Sequence, residues 1–255
     1  MGLLAAIGAF LAALCAQPAF AETDPVTGME FVFVKGGCYR MGDFTGEGNP
    51  DERPVHDACV SDFSIGRHIV TQDQWVKVMG SNPSRNRKGG DYPVENVSWD
   101  DVQRFIRRLN AKTGRKYRLP TEAEFEYAAR SGGKEERYAG TSSDAELSEY
   151  AWYYLNSRAS THPVGRKKPN GLGLFDMTGI VWEWCGDVYG EKYYHNAPRV
   201  DPKGPPKGFY RALRGGSWDT DARNSRTASR YWSPPEIGNG KRGFRLMLPA
   251  RRPGP

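Results

Sequence analysis

From Gly28 to Val70 apolar and polar side chains alternate along the chain, the pattern of half-buried strands. "GMEFVFVKGGCYRMG" reads as a strand, a glycine turn and a second strand, and "ACVSDFSIGRHIV" as another strand pair. The polar "GEGNPDERP" between them is a loop. A helical period then takes over. Thr71-Gln72-Asp73-Gln74 fits a capping box, and Trp75, Val78 and Met79 give that helix an apolar face. Ser98, with Asp101 three residues on, heads the clearest helix; Val102, Phe105, Ile106 and Leu109 share a face and Gly114 ends it. In "RLPTEAEFEYAARSGG" Thr121 is the cap and Glu124 completes the box. Phe125, Ala128 and Ala129 face inward, and Gly132-Gly133 stops the helix. Beyond about residue 131 regular signals fade into turns mixed with aromatics, with "NAPRVDPKGPPKG" a long loop and "GFRLMLP" a last strand. The expected class is α+β and loop-rich, two or three helices on a small sheet. No repeat or linker divides it, so residues 22–255 read as one domain.

Composition supports the loop-rich reading: 30 Gly and 18 Pro stand beside only 38% hydrophobic residues. The formal charge of +6 is scattered among acids, as in "DDVQRFIRRLNAKTGRKYR", and no basic tract interleaves with aromatics, so a nucleic-acid partner is not expected. The opening "MGLLAAIGAFLAALCAQPAFA" has no charged side chain, breaks at Gln17-Pro18 and closes on the small-x-small Ala19-Phe20-Ala21. Residues 1–21 therefore read as a signal peptide, and the protein as periplasmic or secreted. The apolar run falls short of the ~20 residues of a membrane helix, and nothing later in the chain is apolar enough to span a bilayer.

Export changes the reading of the cysteines. Cys15 leaves with the signal, and Cys38, Cys59 and Cys185 remain. In an oxidising compartment two of them should pair. Cys38 and Cys59 lie in alternating strand-like segments joined by a loop that can fold back, so Cys38–Cys59 is the expected bond. Cys185, in the aromatic "VWEWCGD", is the odd thiol, expected buried and inert.

The most polar candidate site is "RGGSWDTDARNSRTASRYW", residues 214–232. Gly215-Gly216 turns the chain and Trp218 anchors it. Polar residues follow, bracketed by Trp218, Tyr231 and Trp232. Such a stretch is a solvated loop or the wall of a polar pocket. Ser217, Trp218, Thr220, Ser225 and Arg226 are the pocket candidates, and Asp219, Asp221, Arg223 and Arg230 could join them. A serine hydrolase is not indicated, because no Gly-x-Ser-x-Gly elbow occurs.

"PVENVSW", "RLPTEAEFEYAARSGG", "THPVG…PNGLGLFDMTGIVWEW", "RGGSW" and "GFRL" follow one another along the chain. Together they resemble the formylglycine-generating enzyme (sulfatase-modifying factor) domain over residues 28–249. The resemblance implies that family's α+β fold, related to C-type-lectin-like folds. It also implies an enzyme that oxidises a cysteine of a client sulfatase to formylglycine with oxygen, using copper(I) held by two cysteines. Those positions fall on Thr220 and Ser225, hydroxyls that cannot replace soft thiolates, so copper chemistry is not expected. A sister branch carries iron-dependent proteins, which leaves iron as an alternative cofactor. His56 and His162 fall in family turns, His68 in a strand, and His195 in a loop as the freest candidate, with no metal-ligand spacing among them. "DMTGIVWE" resembles a family calcium loop, with Asp176 and Glu183 ligating by side chain and Gly179 and Val181 by carbonyl; a plain core strand is the other reading. The function expected is that of an exported accessory or maturation factor binding another envelope protein. An oxygen-dependent non-haem iron oxidoreductase and C-type-lectin-like ligand display by the 217–241 face are the rivals.

Overall fold

The computed structural model of the protein describes residues 21–250. The expected signal segment lies outside the described residues except for Ala21. In chain order the elements are β1 (Ala21–Thr23), β2 (Glu30–Val34), β3 (Gly37–Met41), β4 (His56–Val60), β5 (Phe63–Gly66), α1 (Gln72–Met79), α2 (Trp99–Thr113), α3 (Glu122–Ala129) and α4 (Leu147–Tyr150). After them come β6 (Trp182–Val188), β7 (Arg211–Arg214), β8 (Arg230–Ser233), β9 (Arg242–Gly243) and β10 (Met247–Pro249). The expected α+β, loop-rich class is the observed one. Among the described residues no helix is long and apolar enough to cross a membrane.

The strands form three sheets, in the orders β1-β2-β5-β10, β3-β4 and β8-β7-β6-β9. The two strand pairs read from the alternation are present, but their partners are exchanged. β2 pairs with β5 and β3 with β4, so each tight connection is a corner between sheets. The corners are locked together. The Gly36 amide donates to Asp62 at 2.7 Å, and a Cβ on Gly36 would stand 2.2 Å from the Val60 carbonyl oxygen. Only glycine allows that approach. "GFRLMLP" is likewise divided: β9 ends at Gly243 and β10 begins at Met247.

The helices start and stop where their caps demand. Thr71, Ser98 and Thr121 each accept from the backbone N–H three residues on, and Gly80 and Gly114 close α1 and α2 in the left-handed conformation. Each such N-cap contributes about 1 kcal/mol. Against α2 a ladder of rings fills one core. Trp75 stacks on Phe105 at 5.1 Å, and Phe105 meets Phe244 edge-on at 5.4 Å. α3 departs from its amphipathic reading. All eight of its residues are buried, Glu122, Glu124 and Glu126 included, because β3, β4, β6 and β7 all pack on it.

Cys38 and Cys59 stand opposite each other in the β3–β4 ladder and are disulfide-bonded. Replacing both by serine should cost about 2–5 kcal/mol through the freer unfolded chain, read as a lower urea midpoint. An unchanged midpoint would show that the β3–β4 ladder holds without the bond.

His68, just past β5, stacks on Phe175 at 4.9 Å. Burial, then the charges of Arg245 and Arg67, push its pKa down to about 4 from 6.5. A depressed imidazole refuses a proton that the unfolded chain accepts. Its contribution is therefore complete above pH 6.5 and is lost as pH falls toward 4. His68→Gln should flatten the fall of stability across that window by up to one proton. Parallel pH profiles for the two proteins would exclude His68 as a source of the acid sensitivity.

Candidate functional site

β7 carries the chain out of the sheet to Gly215 and Gly216, whose φ values of 95° and 77° exclude ordinary side chains without strain. The turn they make is knotted by side chains. The Ser217 amide donates to the Thr220 hydroxyl at 2.9 Å, and the Ser217 hydroxyl donates to Asp219 at 2.6 Å. Trp218 is pinned at three points: its amide donates to the Ile180 carbonyl at 2.9 Å, its indole N–H to the Gly240 carbonyl at 3.0 Å, and its carbonyl accepts from the Ser157 hydroxyl at 2.6 Å. Asp221 accepts from the Asn224 amide at 2.8 Å, which starts the short 3-10 turn Arg223–Ser225.

This knot forms one wall of a cleft of about 410 Å³. Asp219, Thr220 and Asn224 line that wall, and Asn239, Lys241 and Tyr231 line the facing side. Lys241 forms an ion pair with Asp219. The segment is thus part pocket wall and part packed turn, and of the five pocket candidates only Thr220 lines the cleft. Ser217 and Ser225 are fully buried; the Ser225 hydroxyl donates to the Asp221 carbonyl at 2.9 Å. Arg226 grips Glu52 with two bonds of 2.7 and 2.8 Å, far from any ligand role. Arg230 reaches the cleft wall, but its guanidinium is held by Glu122 at 2.8 Å and by the Asp51 carbonyl at 2.7 Å. Asp221 and Arg223 point outward. Hydrogen-bond capacity decides these placements. A buried serine or arginine must satisfy its own donors before it can serve a ligand.

Cys185 is buried in β6. Its thiol pKa is pushed far up by burial and then by the neighbouring Asp187 and Glu122 carboxylates, which makes it unreactive. The four histidines have local partners or solvent: His56 packs on Tyr194 at 4.6 Å, His162 on Trp152 at 3.7 Å, His68 on Phe175, and His195 is exposed. Among the described residues no three side chains of His, Cys, Asp or Glu converge as a metal-holding group. A calcium loop that borrows backbone carbonyls is a different arrangement, and "DMTGIVWE" has its elements. Asp176, Gly179 and Ile180 take positive φ values of 58°, 120° and 63° just before β6 starts at Trp182. Asp176 is buried; one carboxylate oxygen accepts from the Gly165 amide at 2.7 Å, and the other, Oδ1, is buried with no partner. Burial pushes the Asp176 pKa up to about 6. Both oxygens of Glu183 accept from Arg245 at 2.8 Å, leaving only their second lone pairs for a cation.

Sequence reading missed a wider cleft, about 870 Å³, between the corner of β4 and β5, the start of α2 and the end of β6. Trp99, Arg118, Glu124 and Asp187 are among its walls, contributed by segments distant in sequence. Asp187 accepts from the Glu122 amide at 3.1 Å, and burial, then the Glu122 charge, pushes its pKa well up.

Residues 17–250 match the family described as Sulfatase-modifying factor enzyme 1-like domain. A formylglycine-generating enzyme of Streptomyces coelicolor is 31% identical, the match covering 84% of this chain and 87% of that protein. A protein of Paenibacillus barcinonensis named chaperone protein LppX is also 31% identical, over 74% of this chain and 78% of its own. The solved structure of Treponema denticola variable protein 1 superposes with a TM-score of 0.83 at 30% identity, covering 90% of this chain and 99% of that one. With nearly its whole length matched, this chain belongs to the sulfatase-modifying factor enzyme 1-like family, to which its motifs pointed.

Proposed function

We propose that this protein is an exported accessory or maturation factor, which binds another protein of the cell envelope in the 217–241 cleft and performs no copper–cysteine chemistry. The observation that carries the reading is the state of the two positions where the family holds copper. Thr220 lines the cleft with its hydroxyl tied back to the Ser217 amide and hydroxyl at 2.9 and 3.0 Å, and Ser225 is buried with its hydroxyl given to the Asp221 carbonyl. A hydroxyl has neither the softness nor the acidity that copper(I) demands of a ligand. The relative named as a chaperone supports the accessory role. The Cys38–Cys59 bond supports export, since such bonds persist in oxidising compartments.

The test has two parts. Supplied with copper(I), oxygen and a cysteine-bearing sulfatase peptide, the protein should leave the cysteine unchanged by mass spectrometry. A photo-reactive residue replacing Asn224 should cross-link one discrete envelope protein in exporting cells. Aldehyde formation would overturn the non-copper reading, and lack of any protein adduct would overturn the client reading.

The same proposal includes a structural calcium ion, held by Asp176, Glu183 and the carbonyls of Gly179 and Val181. Its support is the orphaned Asp176 Oδ1 in a loop where two buried carboxylates face one guanidinium, that of Arg245. A hard cation supplies the missing positive charge and the missing partner together. Calcium in excess should raise the melting temperature of the protein, and Asp176→Asn should abolish that rise. A parent protein indifferent to calcium would remove the ion from the proposal.

A further inference from the structure

A second groove, of about 670 Å³, continues from the candidate cleft, sharing Asn49, Arg230 and Tyr231 with it. This volume lies within the ~300–1,000 Å³ usual for ligand pockets. Its character is different. β8 is the edge strand of its sheet, and its two central residues, Tyr231 and Trp232, are both exposed, at 44% and 41%. Phe209 stands beside them at 89% exposed and Tyr210 at 38%. Three of these rings are braced: Trp232 packs on Tyr210 at 4.2 Å and on Tyr189 at 6.1 Å, and Tyr231 stacks on Trp182 at 5.1 Å.

We infer that this groove binds a neutral oligosaccharide, with the rings of Trp232, Tyr210 and Phe209 as stacking platforms. The inference goes beyond client binding and does not depend on it. Three features of the lining select the ligand. Exposed aromatic faces set along a groove match the C–H faces of pyranose rings, which are apolar and flat. Uncommitted polar groups stand among the rings and along the adjoining cleft. Glu191 has no ion-pair partner among the described residues, and the Asn224 side-chain amide no hydrogen bond. A carboxylate and an amide, which both accept and donate between them, suit paired sugar hydroxyls. The cationic side chains are already committed within the protein. Arg230 is held by Glu122 and Lys241 by Asp219, while Arg242, which lines the adjoining cleft without a carboxylate partner, is buried and donates to the Ile237 carbonyl at 2.8 Å, so no exposed, unpaired cation lines the groove for a polyanion. A nucleic acid or an acidic polymer would need those cations free.

Titration calorimetry of the mature protein with chitotetraose, cellotetraose and maltotetraose tests the inference. At least one should bind, with Kd in the micromolar to millimolar range. Trp232→Ala should weaken that binding roughly tenfold or more while the melting temperature stays put. Phe209→Ala serves as a second variant whose side chain is too exposed to affect folding. Absence of heat with all three sugars, or full affinity retained by both variants, would overturn it. Binding of heparin fragments in place of neutral sugars would overturn it as well.

Discussion

Buried arginine–carboxylate pairs hold this fold together, and the pair of acids on α3 stands at their centre. Arg214 reaches both Glu122 and Glu126, Arg230 grips Glu122 with two bonds, and Arg130 completes the group on Glu126. These charges lie out of water. Removing any one partner would strand the others, at a cost of about 3–5 kcal/mol. Through them α3 is tied to β7 and β8, so the turn at Gly215-Gly216 and the aromatic edge of β8 are set by the same group. The same device recurs where Arg226 holds Glu52 and Arg245 holds Glu183.

Arginine does a second task that a hydrocarbon core could not. A loop-rich chain buries many carbonyls that no ladder satisfies. Arg130 donates to the carbonyls of Arg40 and Gly42, Arg245 to those of Gly66 and Phe175, Arg214 to that of Thr227, and Arg230 to those of Asp51 and Gly190. Four forked donors thereby replace hydrogen bonds that regular sheets would have made among themselves. This explains how a chain with 38% hydrophobic residues encloses a core. It also explains why the basic side chains near the cleft are poor ligand binders. Arg226 and Arg230 are consumed by architecture, Arg242 is buried against the Ile237 carbonyl, and the cleft is left with amides, hydroxyls and the paired Lys241 and Asp219. Thr220 lies where the Gly-Gly-Ser turn places it, and Ser225 faces inward and closes a turn of its own.

Much was legible from the sequence, and for identifiable reasons. Caps at Thr71, Ser98 and Thr121, the stop at Gly114, the faces of α1 and α2 and the alternation around Cys38 and Cys59 depend on contacts a few residues apart, so local pattern carries them. The family motifs were legible because each is a short local signature. What local pattern cannot carry is partnership at a distance. The exchange of strand partners between β2–β5 and β3–β4 follows from the packing of two corners around Gly36. The burial of all of α3, acids included, follows from arginines some 90 residues away. The place of Arg226 was not legible for the same reason: a buried and an exposed arginine look alike in a sequence. The sequence by itself determined the class of fold, the helices, the disulfide and the absence of thiols at Thr220 and Ser225. Only the tertiary structure decided which polar groups remain free to meet a ligand, because that depends on the hydrogen-bond partners each finds across the fold.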